Sequence, residues 1–585
     1  MTVLQNFIYP SNQTLGSAEK YVRTHGNVYY EHNELEMTKF ANAEFDTYYN
    51  ALSVPLWRDR VGINSIYLEV AGAGEIEIEL WHWSNRTIKG FKQAESLTLT
   101  PNLTRIFELD ISNPFDFSGL LYVKVIAKND VNLTDMRWVT DETPRREVKL
   151  GISVTHFNRK SYVLPAISRI KTQLLDDPIW RDRIDFIVVD NSQNITKEEA
   201  LGVQIIPNEN TGGSGGFTRG FLHYKNDTTA THVLFMDDDA SLEIESIKRA
   251  YKILMFAEKD NTAVGAALFY EDRPDEFIER GATLSPETTW WAKFRDTDAT
   301  SVGDIILQEI DEEPNRYFGW WFNAFPIAYT DHLTLPYFVR GDDVSFGVLN
   351  NFNMVMGNGI AAIAENFDYK VAPMTEYLDL RNKLIVHSLF VDKPFAVVPY
   401  YIRLALNSAM AGRYAYNDVQ RMALRDFLNV TPEWLIANAN MKNVLPKIRE
   451  VGSADALHEI NVGDYDTVQT SSLAEDKLST IVRRLTFNRL LFPFDKKKVI
   501  VQPFTALPAY RQIAGYKNVL YVNPENGKGF LAVIKRSKFF GNMFRAVFDA
   551  LHLWTSYRRV GRRLRKDLDK LTSEKMWDDI LKLNK

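Results

Sequence analysis

The sequence contains no cysteine, which excludes disulfides, thiolate metal ligands and cysteine nucleophiles and fits a reducing compartment. No apolar run approaches the ~18 residues that a membrane-spanning helix needs. The opening residues, MTVLQNFIYPSNQ, lack the basic stretch followed by an apolar one that marks a leader peptide. A cytoplasmic protein without a membrane span is therefore expected. Charge of one sign is lacking too. The 69 basic and 75 acidic residues leave a net charge of −6, so the chain as a whole has no electrostatic footprint for nucleic acid. Fixed-period repeats and low-complexity tracts are missing as well.

What is present is a globular composition spread over 585 residues, enough for several cores. Up to about residue 147, apolar residues recur at every second position, as in SIYLEV (65–70), EIEIELWHW (75–83) and LLYVKVIA (120–127). That alternation predicts half-buried antiparallel strands and a β-sandwich domain over residues 1–147, with the polar TDETPRRE (140–147) as a linker. Then the pattern changes. KLGISVTHFNR, DFIVVDNS, VQIIPNENTGG and HVLFMDDDAS are continuous apolar runs separated by helix-like stretches, as in a buried parallel sheet with crossover helices; this α/β domain is expected over residues 148–400. Ligands of such sheets sit beyond the carboxyl ends of the strands, so residues 155–159, 190–192, 208–216 and 237–239 are expected on one rim. Residues 401–585 are expected to be mainly helical. They end in a basic amphipathic tail, where ten Lys and Arg between Lys535 and Lys566 face one acid, Asp549, and alternate with Phe544, Phe548, Leu551 and Trp554.

Carboxylates carry the candidate chemistry. In an extended FMDDDA segment, Asp237 and Asp239 project to one side, where they can share a hard divalent cation that neutralises a diphosphate; a solvated strand-end turn is the bland alternative. TGGSGGFTRG (211–220) offers glycines for close backbone approach and a helix start that favours an anion, without Walker or GxGxxG spacing. A second acidic pair, Asp342 and Asp343, stands in FVRGDDVSFG. Trp290–Trp291 and Trp320–Trp321 are sugar platforms or core packing, and WWFNAFP (320–326) leans towards the site, since its Pro-ended loop sets Asn323 as a hydrogen-bonding group beside the aromatics.

Taken together, THFNR, VVDN, NENTGGSGGFTRG and FMDDDA resemble the family 2 glycosyltransferases of the GT-A fold. With the Trp290–Trp291 pair, WWFNAFP (320–326), FVRGDDVSFG (338–347) and EYLDLRNKL (376–384), the chain is similar in particular to bacterial galactofuranosyltransferases that polymerise galactan from UDP-galactofuranose. The resemblance implies a GT-A catalytic domain, and an inverting, metal-dependent transfer of galactofuranose to a hydroxyl of a growing cell-surface glycan. Thr155, Phe157 and Arg159 would line the UDP site, Asp190 would face the uracil, and Asn208 or Asn210 would lie near the ribose, with Gly212, Gly213 and Asp238 beside the donor. Asp237 and Asp239 would hold Mn²⁺ or Mg²⁺, Asp343 would be the catalytic base, and Asp342 would touch the acceptor with Trp290, Trp291, Trp320, Trp321 and Asn323. The family's metal-binding histidine has no counterpart; Glu365 is expected in its place, with His387 as another candidate. The implied partners are a UDP-sugar donor, a glycan acceptor that is lipid-linked in one reading, the membrane surface through the basic tail, and further copies of the chain. Two alternatives stand beside this: the same fold using UDP-galactopyranose or dTDP-rhamnose, and a non-catalytic glycan-binding scaffold.

Overall fold

The computed structural model describes the chain except residues 12–13, 32–33, 286–288, 469–476, 495, 497, 507–509 and 584–585. Period-two alternation produces antiparallel strands in the N-terminal region, where β1 (Ser65–Trp83), β2 (Leu120–Ala127) and β3 (Val131–Thr140) lie at the centre of an eleven-stranded sheet. β1 is 19 residues long; its first half pairs with β3 and its second half with β2. Between the halves, Gly74 has φ +105°, and a Cβ there would stand 2.5 Å from the Asp130 carbonyl oxygen, so only glycine passes. The two halves fold over each other and share one core, in which Leu68, Val70, Ile76 and Ile78 of β1 meet Val123, Val125, Leu133 and Trp138.

The continuous apolar runs form the catalytic sheet. Its strands are β4 (Leu150–His156), β5 (Ile184–Asp190), β6 (Gln204–Pro207), β7 (His232–Asp237), β8 (Thr262–Tyr270), β9 (Asn323–Pro326) and β10 (Asn353–Ala364). They lie in the order β6-β5-β4-β7-β9-β8-β10. The first four are mutually parallel, and β9 runs antiparallel to both its neighbours. Helices α1 (Lys160–Ile170), α2 (Gly212–Asp227) and α3 (Ile244–Phe256) make the crossovers, as parallel pairing requires. α4 (Asp342–Asn350) precedes β10, and α5 (Pro373–Phe390) follows it.

α3 also carries the β-rich region. Buried Arg249 donates to the carbonyls of Tyr49 (2.6 Å) and Asn6 (2.7 Å), and Glu245 accepts from the Asn6 backbone N–H (2.8 Å). Beyond α5 the chain is mainly helical, with α6 (Val397–Met410), α7 (Tyr414–Asn429) and the 31-residue α8 (Arg536–Lys566) packed together. It also contains a four-stranded sheet that the helical texture hid, built around β11 (Val499–Pro503), β12 (Asn518–Val522) and β13 (Gly529–Val533). Among the described residues no helix is long and apolar enough to cross a membrane. The basic tail is no loose appendage, because Leu553, Tyr557, Val560 and Leu564 of α8 are buried in the helical core.

Candidate active site

The rim expected from the strand ends is present. β4 ends at His156 beside Asp190 of β5, and Thr155 stands in register with Asp237 of β7. The three aspartates part at the strand end, where β7 stops at Asp237 and Asp238 and Asp239 lie in the turn that follows. Asp238 turns towards the β4 loop, where it accepts from the Phe157 backbone N–H (3.3 Å) and meets His156 Nδ1 at 3.0 Å. Asp237 and Asp239 face the cleft instead. Asp237 is raised well above the ordinary carboxylate range, by burial first and then by the negative charges of Asp239 and Asp238.

The second acidic pair opens α4. Gly341 before it has φ +83°, and Asp342 accepts from the Ser214 hydroxyl at 3.0 Å. Both carboxyls are raised by burial, Asp343 additionally by the charge of Asp342. The two acidic clusters meet at one cleft across the start of α2, where a Cβ on Gly213 would lie 3.5 Å from Asp342 and one on Gly216 would meet Thr155, the register partner of Asp237. The glycine-rich segment closes it from a third side. Gly212 has φ +70° and a Cβ there would lie 2.1 Å from the Phe338 carbonyl oxygen, while one on Gly213 would lie 3.5 Å from Asp342. These glycines bring the start of α2 against the strand-end loops.

Comparison with known proteins bears on the family of the domain that carries the first acidic cluster. Residues 152–307 match the family described as Glycosyl transferase family 2, and residues 13–141 match the Galactofuranosyltransferase 2 N-terminal family. The chain carries a family 2 glycosyltransferase domain. The transferase is 23% identical over 454 residues to galactofuranosyltransferase GlfT2 of Mycolicibacterium smegmatis, covering 72% of this chain and 68% of that protein. It is 24% identical over 452 residues to GlfT2 of Mycobacterium tuberculosis, covering 71% and 69%. Among solved structures, the mannosyltransferase PcManGT from Pyrobaculum calidifontis in complex with GDP-Man and Mn²⁺ is similar at 17% identity and a TM-score of 0.29, covering 42% of this chain and 66% of that one. Glucosyl-3-phosphoglycerate synthase from Mycobacterium tuberculosis, with Mn²⁺, UDP-glucose and phosphoglyceric acid, is similar at 13% identity and a TM-score of 0.27, covering 40% and 78%.

Several residues of the glycosyltransferase stand elsewhere than their motifs suggest. Asp190 accepts the backbone N–H groups of Ser192, Gln193, Asn194 and Ile195 at 2.8–3.0 Å, so its carboxylate builds the turn after β5 instead of presenting itself to a base. Asn208 is buried with its amide donated to Asn191 (2.8 Å), and Asn210 accepts from the Gly212 N–H (2.9 Å). The start of α2 is less of an anion site than expected, because the N–H groups of Ser214 and Gly215 are taken by the carbonyls of Phe338 and Thr211. Trp320 is no sugar platform: it packs against Phe217, Phe235 and Phe346 in the core. Asn323 is wholly buried in β9, and Trp321 is buried with its indole N–H donated to the Ala266 carbonyl (3.2 Å). Trp290 does reach the cleft, since its ring would lie 3.5 Å from a Cβ on Gly341, whereas its neighbour Trp291 points outward and is 40% exposed. Phe157 is exposed at the rim, and Thr155 is half-buried beneath it. His387 is buried against Tyr557 on α8, in the helical core and away from the acids.

Glu365 departs most from its expected role. It accepts from Arg159 (2.9 Å) and Tyr162 (2.9 Å) and lies 3.0 Å from Lys370. Burial alone would raise its carboxyl, but the hydrogen bonds from Lys370 and Tyr162 and the Lys370 and Arg159 charges bring it down to about 2. Glu365 is thus tied into an ion-pair network, and among the described residues no group of three or more His, Asp or Glu stands ready to hold a metal. Three further residues of the cleft escaped the sequence reading: Lys370, Lys383 and Glu279. Lys383 lies 4.5 Å from the centre of the Trp290 ring, and burial lowers its ammonium to about 8. Glu279 is buried near Asp343 and raised by burial and by that charge. Lys370 and Glu279 come from segments without a motif, whereas Lys383 stands inside EYLDLRNKL, whose spacing gave its ammonium no role.

Proposed function

We propose that the protein transfers galactofuranose from UDP-galactofuranose to a hydroxyl of a growing glycan, with inversion at the anomeric carbon. The observation that carries the reading is that two acidic pairs, Asp237 with Asp239 and Asp342 with Asp343, stand at the start of α2, the first through the Thr155 register and the second through the Ser214 hydroxyl. The Asp237–Asp239 pair fits a divalent cation, Mn²⁺ or Mg²⁺, because the crowding that raises Asp237 is the kind a cation relieves. Arg159 and Lys370 hold both Asp239 and Glu365, and Tyr162 holds Glu365 in addition, so Glu365 is left out of the proposed ligand set. When bound, such a cation supplies positive charge that stabilises the departing diphosphate.

The chain's own residues do the rest. Asp343 takes the proton of the acceptor hydroxyl as that oxygen attacks the anomeric carbon, and the bond to UDP breaks. A base raised towards neutrality by burial and Asp342 holds that proton better than an ordinary carboxylate would. Trp290 offers an apolar face beside the acid pair, where the acceptor sugar stacks. The name of the curated relatives, galactofuranosyltransferase, favours this donor over UDP-galactopyranose or dTDP-rhamnose. The exposed apolar residues of α8, among basic neighbours, favour a peripheral membrane contact on the cytoplasmic face and a lipid-linked acceptor. The domains follow the sequence boundaries, 1–147, 148–400 and 401–585, and the active form is a homo-oligomer.

The test is nucleoside diphosphate release from each of the three donors (UDP from the two UDP-sugars, dTDP from dTDP-rhamnose), with a small galactoside acceptor, in Mn²⁺, in Mg²⁺ and in EDTA. Release from UDP-galactofuranose alone, abolished by EDTA, is expected. Release from another donor, with none from UDP-galactofuranose, refutes the donor assignment. Acceptor binding without turnover of any donor favours a scaffold.

A further inference from the structure

We propose that Lys370, paired with Arg159, is a built-in cation site for the diphosphate of the nucleotide donor. The inference rests on the nucleotide-sugar reading above and adds residues that no motif marks. Lys370 Nζ lies 2.9 Å from Asp239 Oδ2 and 3.0 Å from Glu365 Oε2, between the two carboxylates. The Arg159 guanidinium forks across the same two, one nitrogen to Asp239 and the other 2.9 Å from Glu365. Two cationic side chains therefore occupy the strand-end cleft where a diphosphate would lie. An ammonium carries three N–H groups, and the two carboxylates account for two of them.

The loop holding Lys370 is fixed from several directions. Asn523 of the C-terminal sheet region donates to the Tyr369 carbonyl (3.1 Å), the Ala506 N–H donates to the Asp368 carbonyl (3.1 Å), and Arg295 pairs with Asp368 (2.7 Å). The Thr375 hydroxyl, at the start of α5, donates to the Lys370 carbonyl (3.2 Å). A lysine so anchored meets a ligand without the entropy loss that a swinging side chain suffers.

Charge arithmetic points the same way. Asp239 and Glu365 set two negative charges against the two positive charges of Arg159 and Lys370. A diphosphate arriving with a divalent cation therefore meets carboxylates that are already balanced. Without the two side chains it would meet both acids uncompensated. Glu365 in this account is the clamp that aims both cations, which explains why an acid stands where a metal-binding histidine was sought.

The experiment is calorimetric binding of UDP and of uridine to the full chain, in EDTA and in Mn²⁺, for wild type, Lys370→Met and Lys370→Gln. Wild type is expected to bind UDP in EDTA, and both variants to bind it about tenfold or more weakly in either buffer, as loss of a charge-assisted contact implies. Uridine, which lacks the diphosphate, should bind wild type and variants alike, which also shows the variants to be folded. UDP bound as tightly by folded Lys370→Gln as by wild type overturns the inference and leaves the donor reading standing. A wild type that binds no UDP in either buffer overturns both.

Discussion

At the scale of single residues, the Asp342–Asp343 pair sets function against stability. Burial and mutual repulsion raise Asp343 from the ordinary 3.8, so the fold disfavours its anion. The cost is absent below the unfolded value and complete above the folded one, so wild type loses stability as pH climbs through that window. Asp343→Asn carries no charge and escapes it. The variant is expected to be more stable than wild type at about pH 8, by on the order of 1–2 kcal/mol in chemical denaturation, with the gap closing at about pH 4. Its UDP release should fall by about 10²–10⁴-fold, the usual contribution of a general base. In wild type, the rising limb of the pH–rate profile should lie above the ordinary carboxylate range, because the base must be deprotonated to act. A limb at the unperturbed carboxylate position would place the base elsewhere.

Among the elements, α8 has two unlike faces. One side, through Leu553, Tyr557, Val560 and Leu564, is packed into the helical core. The other presents Phe544, Val547, Phe548, Leu551 and Trp554 to solvent, with Phe548 71% exposed. Spacing of three and four residues puts these five on one stripe, and the basic residues of the same helix complement an anionic lipid surface. The double variant Phe548→Glu, Leu551→Glu should lose co-sedimentation with phosphatidylserine-containing vesicles while its melting temperature stays within about 2 °C of wild type, as expected for exposed positions. Unchanged sedimentation would argue that the stripe covers another protein surface. β7 is the contrasting element, for it ends at Asp237, and the turn that follows, not the pleat of an extended FMDDDA segment, decides where Asp238 and Asp239 point.

For the whole molecule, the docking of the β-rich region onto α3 is the weak point to probe. Arg249 is 1% exposed and ties the carbonyls of Tyr49 and Asn6 to α3, with Glu245 beside it. Arg249→Met removes those donors and leaves buried carbonyls and Glu245 without them, so a loss of about 2–4 kcal/mol is expected, read as a lower melting temperature. Limited proteolysis should then cut first near residues 141–147, where the chain passes from one region to the other. A variant as stable as wild type would show that apolar packing across the interface carries the docking.

The sequence by itself determined the pleated N-terminal region, the parallel sheet, the rim at its strand ends and the two acidic pairs, because periodicity and short motifs are local. It did not determine which aromatics face the cleft. Trp320 and Trp290 sit in equally aromatic contexts, and only packing sent one among Phe217, Phe235 and Phe346 and the other beside Gly341. Asp190 lay at the expected strand end, but the four N–H groups its carboxylate accepts appear only once the turn has formed. The C-terminal strands were missed because runs of five residues between helices carry too short a period to read. Lys370 shows the limit most clearly. It stands 131 positions from Asp239 in the chain, and its ammonium reaches that carboxylate because β10 carries the chain back to the rim and the C-terminal region holds the loop that follows.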